Sequence, residues 1–289
     1  MSRFLEFVTQ KNKKKVVLIV GSARSPECCP DEKSKTHKIA EKISSEFDET
    51  VTFEIIDLSV KCDGINVLPC KGCVSTSCFH CHWPCDCYSK DSDPKDLMHE
   101  QNVYKKLEWC DGFFLITPIN WSAPSSVVKS FFDRLVCASL TITDEQAKEL
   151  LGEDDIKNSK KTRKMEKEEK NMHLLKNHLE GKYAGFFGHG NNGGADYRSF
   201  DKEKSKLLPV IPDSLVEFNK NNPKEDTSRL LDPIVRQCVY SGIHVPSDCV
   251  KCVVSGYGVS YSEGNDMEAR SKELLGSAMS TFESFLRHL

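Results

Sequence analysis

One stretch near the start of the sequence decides the fold: Lys15-Val16-Val17-Leu18-Ile19-Val20-Gly21-Ser22-Ala23-Arg24. Its five consecutive apolar residues, four of them β-branched, predict a strand that is buried on both faces. Gly21 ends this strand, and a helix is predicted to begin at about Lys35. The first turn of a helix offers unpaired backbone N–H groups and the positive end of the helix dipole. The loop between strand and helix is therefore predicted to bind an anion, most simply a phosphate.

The side chains of this loop suit a terminal phosphate. They are Ser22, Arg24, Ser34 and Thr36. Hydroxyl groups can donate to a phosphomonoester, which accepts several hydrogen bonds without one fixed geometry. The loop contains neither G-x-x-x-x-G-K-S/T nor G-x-G-x-x-G, which argues against a P-loop and against a Rossmann dinucleotide site at this position. The competing interpretation is that Ser34 or Thr36 only caps the helix.

Four further buried strands alternate with helices along the chain. The strands are predicted at 51–58, 112–118, 183–188 and 249–255, and the helices at 35–47, 95–109, 125–137, 227–241 and 266–289. Such alternation implies a parallel sheet with right-handed crossovers. We therefore expect one α/β domain over residues 1–289, a doubly wound five-stranded parallel sheet in the order 2-1-3-4-5.

Ligands of doubly wound sheets bind at the carboxyl ends of the strands. Three neighbouring strand ends carry unusual chemistry here, and the first is the hydroxyl-rich loop. The third strand ends in Pro118-Ile119-Asn120-Trp121-Ser122, and the fourth in Gly188-His189-Gly190. We therefore expect these three strand ends to form one ligand site.

Composition narrows the class of protein. A net charge of −3 over 289 residues favours neither nucleic acid nor a membrane surface as a partner. The N-terminus lacks the apolar core of a secretory signal, and no segment approaches the length of a membrane span, so a cytoplasmic protein is expected. A charged helical insert over residues 141–181 is expected to be a solvated face or arm.

The sequence resembles the NAD(P)H-dependent FMN reductase and iron–sulfur flavoprotein family, which has a flavodoxin-like fold. The residues that carry the resemblance are Gly21-Ser22-Ala23-Arg24, Ser34-Lys35-Thr36, Cys110-Asp111-Gly112, Thr117 to Ser125 and Lys129 to Arg134. It covers residues 15 to 137 well and continues loosely to the last helix. We expect the charged groups Lys129, Asp133 and Arg134 to tether neighbouring loops.

The resemblance implies a binding site for FMN. Its phosphate would lie at Ser22, Arg24, Ser34 and Thr36, and its isoalloxazine ring along Pro118, Ile119, Asn120, Trp121 and Ser122. The loop of Gly188, His189 and Gly190 would reach the other edge of the ring. NAD(P)H would deliver a hydride to the flavin, which would pass electrons to a quinone, another flavin or an iron–sulfur acceptor. The flavin performs this chemistry, so no catalytic residue is assigned. A homodimer or homotetramer is also implied.

A cysteine-rich loop over residues 62–90 holds seven of the fourteen cysteines, which favours a local metal or redox site over scattered disulfides. Paired C-x-x-C units let one metal centre take two thiolates from a short loop. The candidate ligands are Cys70, Cys73, Cys78, Cys81 and Cys85. Cys62, Cys110, Cys137, Cys238, Cys249 and Cys252 are predicted to be buried small apolar residues.

Three interpretations of this loop stay open. A [4Fe–4S] cluster fits the place of the loop in the resembled family, a structural zinc fits the paired spacing with His80 or His82 in reserve, and the thiols could hold nothing. The alternatives to a reductase are accordingly an iron–sulfur electron carrier without nicotinamide activity and a zinc-stabilised, flavodoxin-like binding module that lacks FMN.

Overall fold

The computed structural model describes residues 13–25, 34–60, 64–89, 91, 93–120, 123–191, 230–255 and 267–289. Its strands are β1 (Lys14–Val20), β2 (Val51–Asp57), β3 (His82–Trp83), β4 (Gly112–Asn120), β5 (Ala123–Pro124), β6 (Ile142–Thr143), β7 (Tyr183–Asn191) and β8 (Val250–Ser255). Its α-helices are α1 (Lys35–Glu46), α2 (Leu97–Glu100), α3 (Val103–Trp109), α4 (Ser126–Arg134), α5 (Asp144–Leu151), α6 (Ser159–Lys167), α7 (Asp232–Tyr240) and α8 (Met267–His288).

The central sheet has the order β2-β1-β4-β7-β8, and all four pairings along it are parallel. This confirms the predicted flavodoxin-like order 2-1-3-4-5. Beyond the prediction, β5 folds back antiparallel on the end of β4, where Ile119 pairs with Pro124. A second, two-stranded sheet pairs β3 of the cysteine-rich loop with β6 of the insert.

Two hydrophobic cores cover the two faces of the sheet. Val17 and Ile19 of β1 belong to the core beneath α3, α4 and α7, while Val16 and Leu18 belong to the core beneath α1 and α8. Successive side chains of a strand point to opposite faces, so a strand between two cores must be apolar at every position. This explains the unbroken apolar run of β1.

The predicted helix over residues 95–109 is wrong in one respect, because the structure divides it into α2 and α3. Asn102 between them has φ 52°, which is left-handed backbone. Asparagine tolerates this conformation better than most residues, and a single left-handed residue ends a helix. None of the helices that the structure describes is both long and apolar enough to cross a bilayer.

The insert packs on the cysteine-rich loop through its inner side. The Ser77 hydroxyl donates to the Thr162 carbonyl at 3.2 Å, and the Thr162 hydroxyl lies 3.3 Å from His80 Nδ1. Phe79 of the loop is fully buried in a small core with Ile142 and Ala147 of the insert. Most charged side chains of α6 are exposed and Glu166 is half-buried, and the contacts to the cysteine-rich loop mean that the segment is not an arm free of the domain.

Candidate cofactor site

The loop after β1 is held between β4 and α4. The Gly21 N–H donates to the Ile116 carbonyl at 2.7 Å, and the Gly21 carbonyl accepts from the Ser125 hydroxyl at 2.6 Å. A Cβ atom on Gly21 would lie 2.6 Å from Val128 Cγ2 and 2.9 Å from the Ile116 carbonyl oxygen. Only glycine therefore lets the first loop approach β4 and α4 this closely.

The first turn of α1 begins at this loop, and Ser34 is its N-cap. The Ser34 hydroxyl accepts from the His37 N–H at 3.3 Å and lies 2.6 Å from His37 Nδ1. The capping interpretation is thus correct for Ser34. In the same loop the buried Ser22 hydroxyl accepts from the Arg24 N–H at 3.2 Å.

His37 connects the N-cap to the end of β2, because its Nε2 lies 3.1 Å from Asp57 Oδ2. Burial raises the pKa of the Asp57 carboxyl, but the hydrogen bonds from His37 and from the Ser59 N–H outweigh it, so the net pKa is lowered. The ionised carboxylate holds the His37 ring in place. No sequence pattern pointed to this second layer behind the phosphate loop.

The first and fourth strand ends meet through Thr36 and His189, whose Oγ1 and Nε2 atoms lie 2.8 Å apart. Both side chains are buried, at 1% and 7% exposure. Burial, with a smaller effect of the Lys35 charge, lowers the pKa of His189 to about 4. The imidazole is therefore neutral near pH 7, and Nε2 either donates to the Thr36 hydroxyl or accepts from it.

The third strand end lies beside the fourth. Pro118 is the register partner of His189 in the β4–β7 pairing. A Cβ atom on Gly188 would lie 3.0 Å from Ile119 Cδ1, so this glycine allows the close contact of the two strands. Asn120 is exposed at the tip of the β4–β5 hairpin. Trp121 and Ser122 lie outside the described residues.

These contacts place the three predicted strand ends around one region. The α1 N–H groups of the first turn have no acceptor within the helix, and the helix dipole makes that end positive. Ser22, Ser34 and Thr36 surround the same turn with hydroxyl groups. The residues present thus fit a phosphate at the start of α1.

A separate cluster of thiols occupies the cysteine-rich loop. The Cys73 and Cys87 sulfurs lie 3.2 Å apart, and Cys85 interacts with both Cys87 and Cys137. Cys81 lies near Cys85 and Cys73, and it is as buried as Cys85, at 4% exposure. We call these five residues, together with Cys70, the thiol cluster.

Two predicted ligands behave differently in the structure. Cys70 lies close enough to Cys85 and Cys73 to interact electrostatically with both, although its sulfur also accepts from the Gly72 N–H at 3.3 Å. Cys78 instead interacts with Glu166 of the insert: burial raises the pKa of its thiol, and the nearby carboxylate raises it further. Spacing alone put Cys78 with the other ligands, but the turn at 78–80 directs its side chain to α6.

Arg134 lies beside the thiol cluster and is fully buried. Its guanidinium forms an ion pair with Asp96 at 2.8 Å, donates to the Leu68 carbonyl at 3.1 Å and covers the Tyr88 ring. The expectation that Arg134 tethers neighbouring loops is confirmed. Hydrogen bonds from Cys137 and Cys87 lower the pKa of Cys85 well below its usual range, and the Arg134 charge adds to this against the effect of burial.

Two other groups, within the part of the chain that the structure describes, bring three potential ligand atoms within 4.8 Å of one another. One consists of Asp248, Cys249 and His288, and the other of His82, Asp86 and Asp144. In the second group, Lys157 and Lys148 already pair with the carboxylates, at 2.7 and 3.0 Å. The sulfurs of the thiol cluster are more widely spread, so a centre there has to be larger than one ion or has to draw the side chains inward.

The parallel sheet of order 2-1-3-4-5 defines a flavodoxin-like α/β fold. Residues 14–152 match the family model described as NADPH-dependent FMN reductase. This segment, just under half of the chain, is similar to that family. It contains the first loop, the cysteine-rich loop and the β4–β5 hairpin. No curated protein sequence matches the chain.

Solved structures of redox proteins show a distant likeness. The NAD(P)H:quinone oxidoreductase from Methanothermobacter marburgensis is 11% identical, with 92% of this chain and 98% of that chain covered and a TM-score of 0.46. General stress protein 14 in complex with FMN from Treponema denticola is 13% identical, with 94% and 97% covered and a TM-score of 0.41. The azoreductase from Bacillus anthracis is 11% identical, with 93% and 97% covered and a TM-score of 0.41. These values are too low to support a statement on activity.

Proposed function

We propose that the protein is an FMN-dependent reductase that takes a hydride from NAD(P)H and passes electrons to a quinone, to another flavin or to a metal centre in the thiol cluster. The observation that carries the proposal is the meeting of Thr36 and His189 at the first turn of α1. It joins two strand ends at the place where the fold binds ligands. The match of residues 14–152 to the FMN reductase family supports the same proposal.

The residues of the first loop would hold the FMN phosphate. The hydroxyls of Ser22 and Thr36 would donate to it at the positive end of the α1 dipole, while Ser34 caps the helix by accepting from the His37 N–H. Arg24 contributes a positive charge. Gly21 keeps this loop against the β4–β5 hairpin, whose backbone at Pro118 to Asn120 would border the flavin ring. When bound, the flavin supplies the hydride and electron transfer itself.

His189 would act as a positioning residue for Thr36. A phosphate ligand favours the tautomer in which Nε2–H donates to Thr36 Oγ1, because the hydroxyl proton is then available to the phosphate. The low pKa of His189 keeps the ring neutral, so it adds no charge that would change with pH near neutrality. Gly188 and Gly190 allow β7 to approach Ile119 and bring His189 to this position.

The decisive experiment is the visible spectrum of the purified protein under anaerobic conditions, before and after NADPH or NADH is added. A flavin spectrum that NADPH or NADH bleaches supports the reductase, and comparison of the two rates identifies the preferred nicotinamide. A flavin spectrum that neither nucleotide bleaches favours an electron carrier. A protein that binds no FMN at micromolar concentrations contradicts the proposal.

We infer in addition that the thiol cluster holds a thiolate-ligated metal centre, either an iron–sulfur cluster or zinc. Its support is the convergence of buried and half-buried cysteines next to the buried Arg134. Iron, acid-labile sulfide and zinc are measured per chain on protein purified without oxygen. Iron with sulfide indicates a cluster, zinc alone a structural site, and the absence of both contradicts the inference.

The remaining expectations concern partners and compartment. We infer a small-molecule electron acceptor, assembly as a homodimer or homotetramer, and a reducing cytoplasmic environment. None of the eleven described cysteines forms a disulfide, which is usual where thiols are kept reduced. Light scattering coupled to size-exclusion chromatography measures the assembly, and a monomer at working concentrations would contradict that part.

A further inference from the structure

We propose that Cys137, which lies outside the cysteine-rich loop, is a ligand of the metal centre in the thiol cluster and that Cys78 is not. The proposal rests on the metal centre inferred above and names part of its ligand set. The spacing of the cysteines predicts the opposite, because Cys78 belongs to a C-x-x-C unit and Cys137 is isolated in sequence. The two cysteines therefore form a natural pair of test and control.

The position of Cys137 is set by α4. The residue lies on the 3-10 turn Leu135–Ala138 that follows this helix, at 1% exposure. Its sulfur lies 3.2 Å from the Arg134 carbonyl oxygen and interacts with both Cys85 and Cys81. A thiol from a distant segment thus reaches the same buried space as the thiols of the loop.

The surroundings of Cys137 differ from those of an ordinary buried cysteine. Cys238 is equally buried, at 2% exposure, but only burial acts on its thiol. Cys137, in contrast, also interacts with Cys85 and Cys81, which belong to the same buried core. Several convergent thiols with one outside the local motif form a ligand set that a soft metal can use, since thiolates select zinc or iron–sulfur clusters.

Arg134 provides the second observation. Its Nε atom is buried and has no hydrogen-bond partner among the residues that the structure describes. An unsatisfied buried donor costs about 1–3 kcal/mol, and more for a charged group. Arg134 also interacts electrostatically with Cys70, Cys85 and Cys137. An anionic metal–thiolate centre at this position would place further negative charge beside the guanidinium and offset that cost.

Ligation by Cys137 would connect the centre to the proposed flavin site through one helix. Ser125, directly before α4, binds the Gly21 carbonyl of the first loop, and Cys137 follows the other end. Nine helical residues at a rise of 1.5 Å each span about 13 Å. The centre would then lie about one short helix from the turn after β4.

The test compares the wild type with Cys137→Ala and Cys78→Ala, all purified anaerobically as full-length chains. Iron, acid-labile sulfide and zinc are measured per chain, before and after dialysis against a chelator. We expect Cys137→Ala to retain at least tenfold less metal than the wild type after dialysis, and Cys78→Ala to retain the wild-type amount. Circular dichroism and FMN content identify any variant that fails to fold, and Cys137→Ser is the replacement if alanine does so.

The outcomes separate this proposal from the ones on which it depends. If the wild type contains metal and the Cys137 variant retains the same amount, the ligand assignment is wrong but the metal centre stands. Loss of metal in Cys78→Ala would likewise overturn only the ligand assignment. Wild type without iron or zinc would overturn both the centre and its ligand. FMN binding is read separately from the flavin absorbance, so the reductase proposal stands or falls independently of these results.

Discussion

Replacement of Thr36 by valine removes one hydroxyl from the proposed phosphate site and leaves the shape of the side chain nearly unchanged. Thr36 is 1% exposed, and its Oγ1 lies 2.8 Å from His189 Nε2. Its loss leaves the buried His189 nitrogen without this partner, which costs about 1–3 kcal/mol of folding free energy. A hydrogen bond to a charged phosphate is worth about 1.5–3 kcal/mol. We therefore expect FMN to bind roughly 10- to 140-fold more weakly.

The assay titrates the apoprotein with FMN and, in parallel, with riboflavin, which lacks the phosphate, and follows flavin fluorescence. We expect Thr36→Val to weaken FMN binding and to leave riboflavin binding unchanged. Thr281→Val is the matched control, because Thr281 is also buried, at 3% exposure, and its hydroxyl donates to the Ser277 carbonyl within α8. Equal weakening of both ligands, or no change for FMN, would refute the placement of the phosphate at α1.

Three further predictions concern stability. Gly21→Ala should lower the free energy of unfolding by about 1–3 kcal/mol in urea titrations because its Cβ would meet Val128, whereas Gly276→Ala, with open space around it, should raise it by about 0.5–1 kcal/mol. The wild type should lose up to about 3 kcal/mol of stability as pH falls from about 6.5 to 4, because the unfolded chain binds a proton at His189 that the buried ring excludes. His189→Gln should remove this loss, and parallel pH profiles of the two proteins would contradict the prediction. Asp96→Asn should cost about 3–5 kcal/mol, since it removes the carboxylate that forms a buried ion pair with Arg134; a loss below 1 kcal/mol, typical of surface pairs, would be inconsistent with that pair.

The fold could be predicted from sequence because each strand between two cores needs an unbroken apolar run, as in β1. Ser34 could be predicted as a cap because capping is local to three or four residues. The contact between Thr36 and His189 joins residues 153 positions apart, and no local pattern contains it. The candidate region emerged only from the rule that parallel strand ends converge.

The thiols show that the spacing of cysteines along the chain does not by itself identify which of them lie together. A C-x-x-C unit fixes how far apart two residues lie along the chain, but not which way each side chain points. The turn at Cys78–His80 packs on α6, and this packing gives Cys78 a carboxylate neighbour instead of thiols. Cys137 joins the thiol cluster because α4 ends there, and that requires the tertiary arrangement of two segments.

Phe79 is buried between the cysteine-rich loop and the insert, and this position limits how far the chain can be shortened. Deletion of residues 144–175 would strip Ala147 and the neighbouring apolar groups from that ring and leave it in water. Exposure of a phenylalanine costs about 1.5–3 kcal/mol and creates an aggregation-prone apolar surface next to reactive thiols. A shortened version of the protein would need other apolar residues packed on Phe79, or a polar residue in place of Phe79, before the charged helices could be deleted.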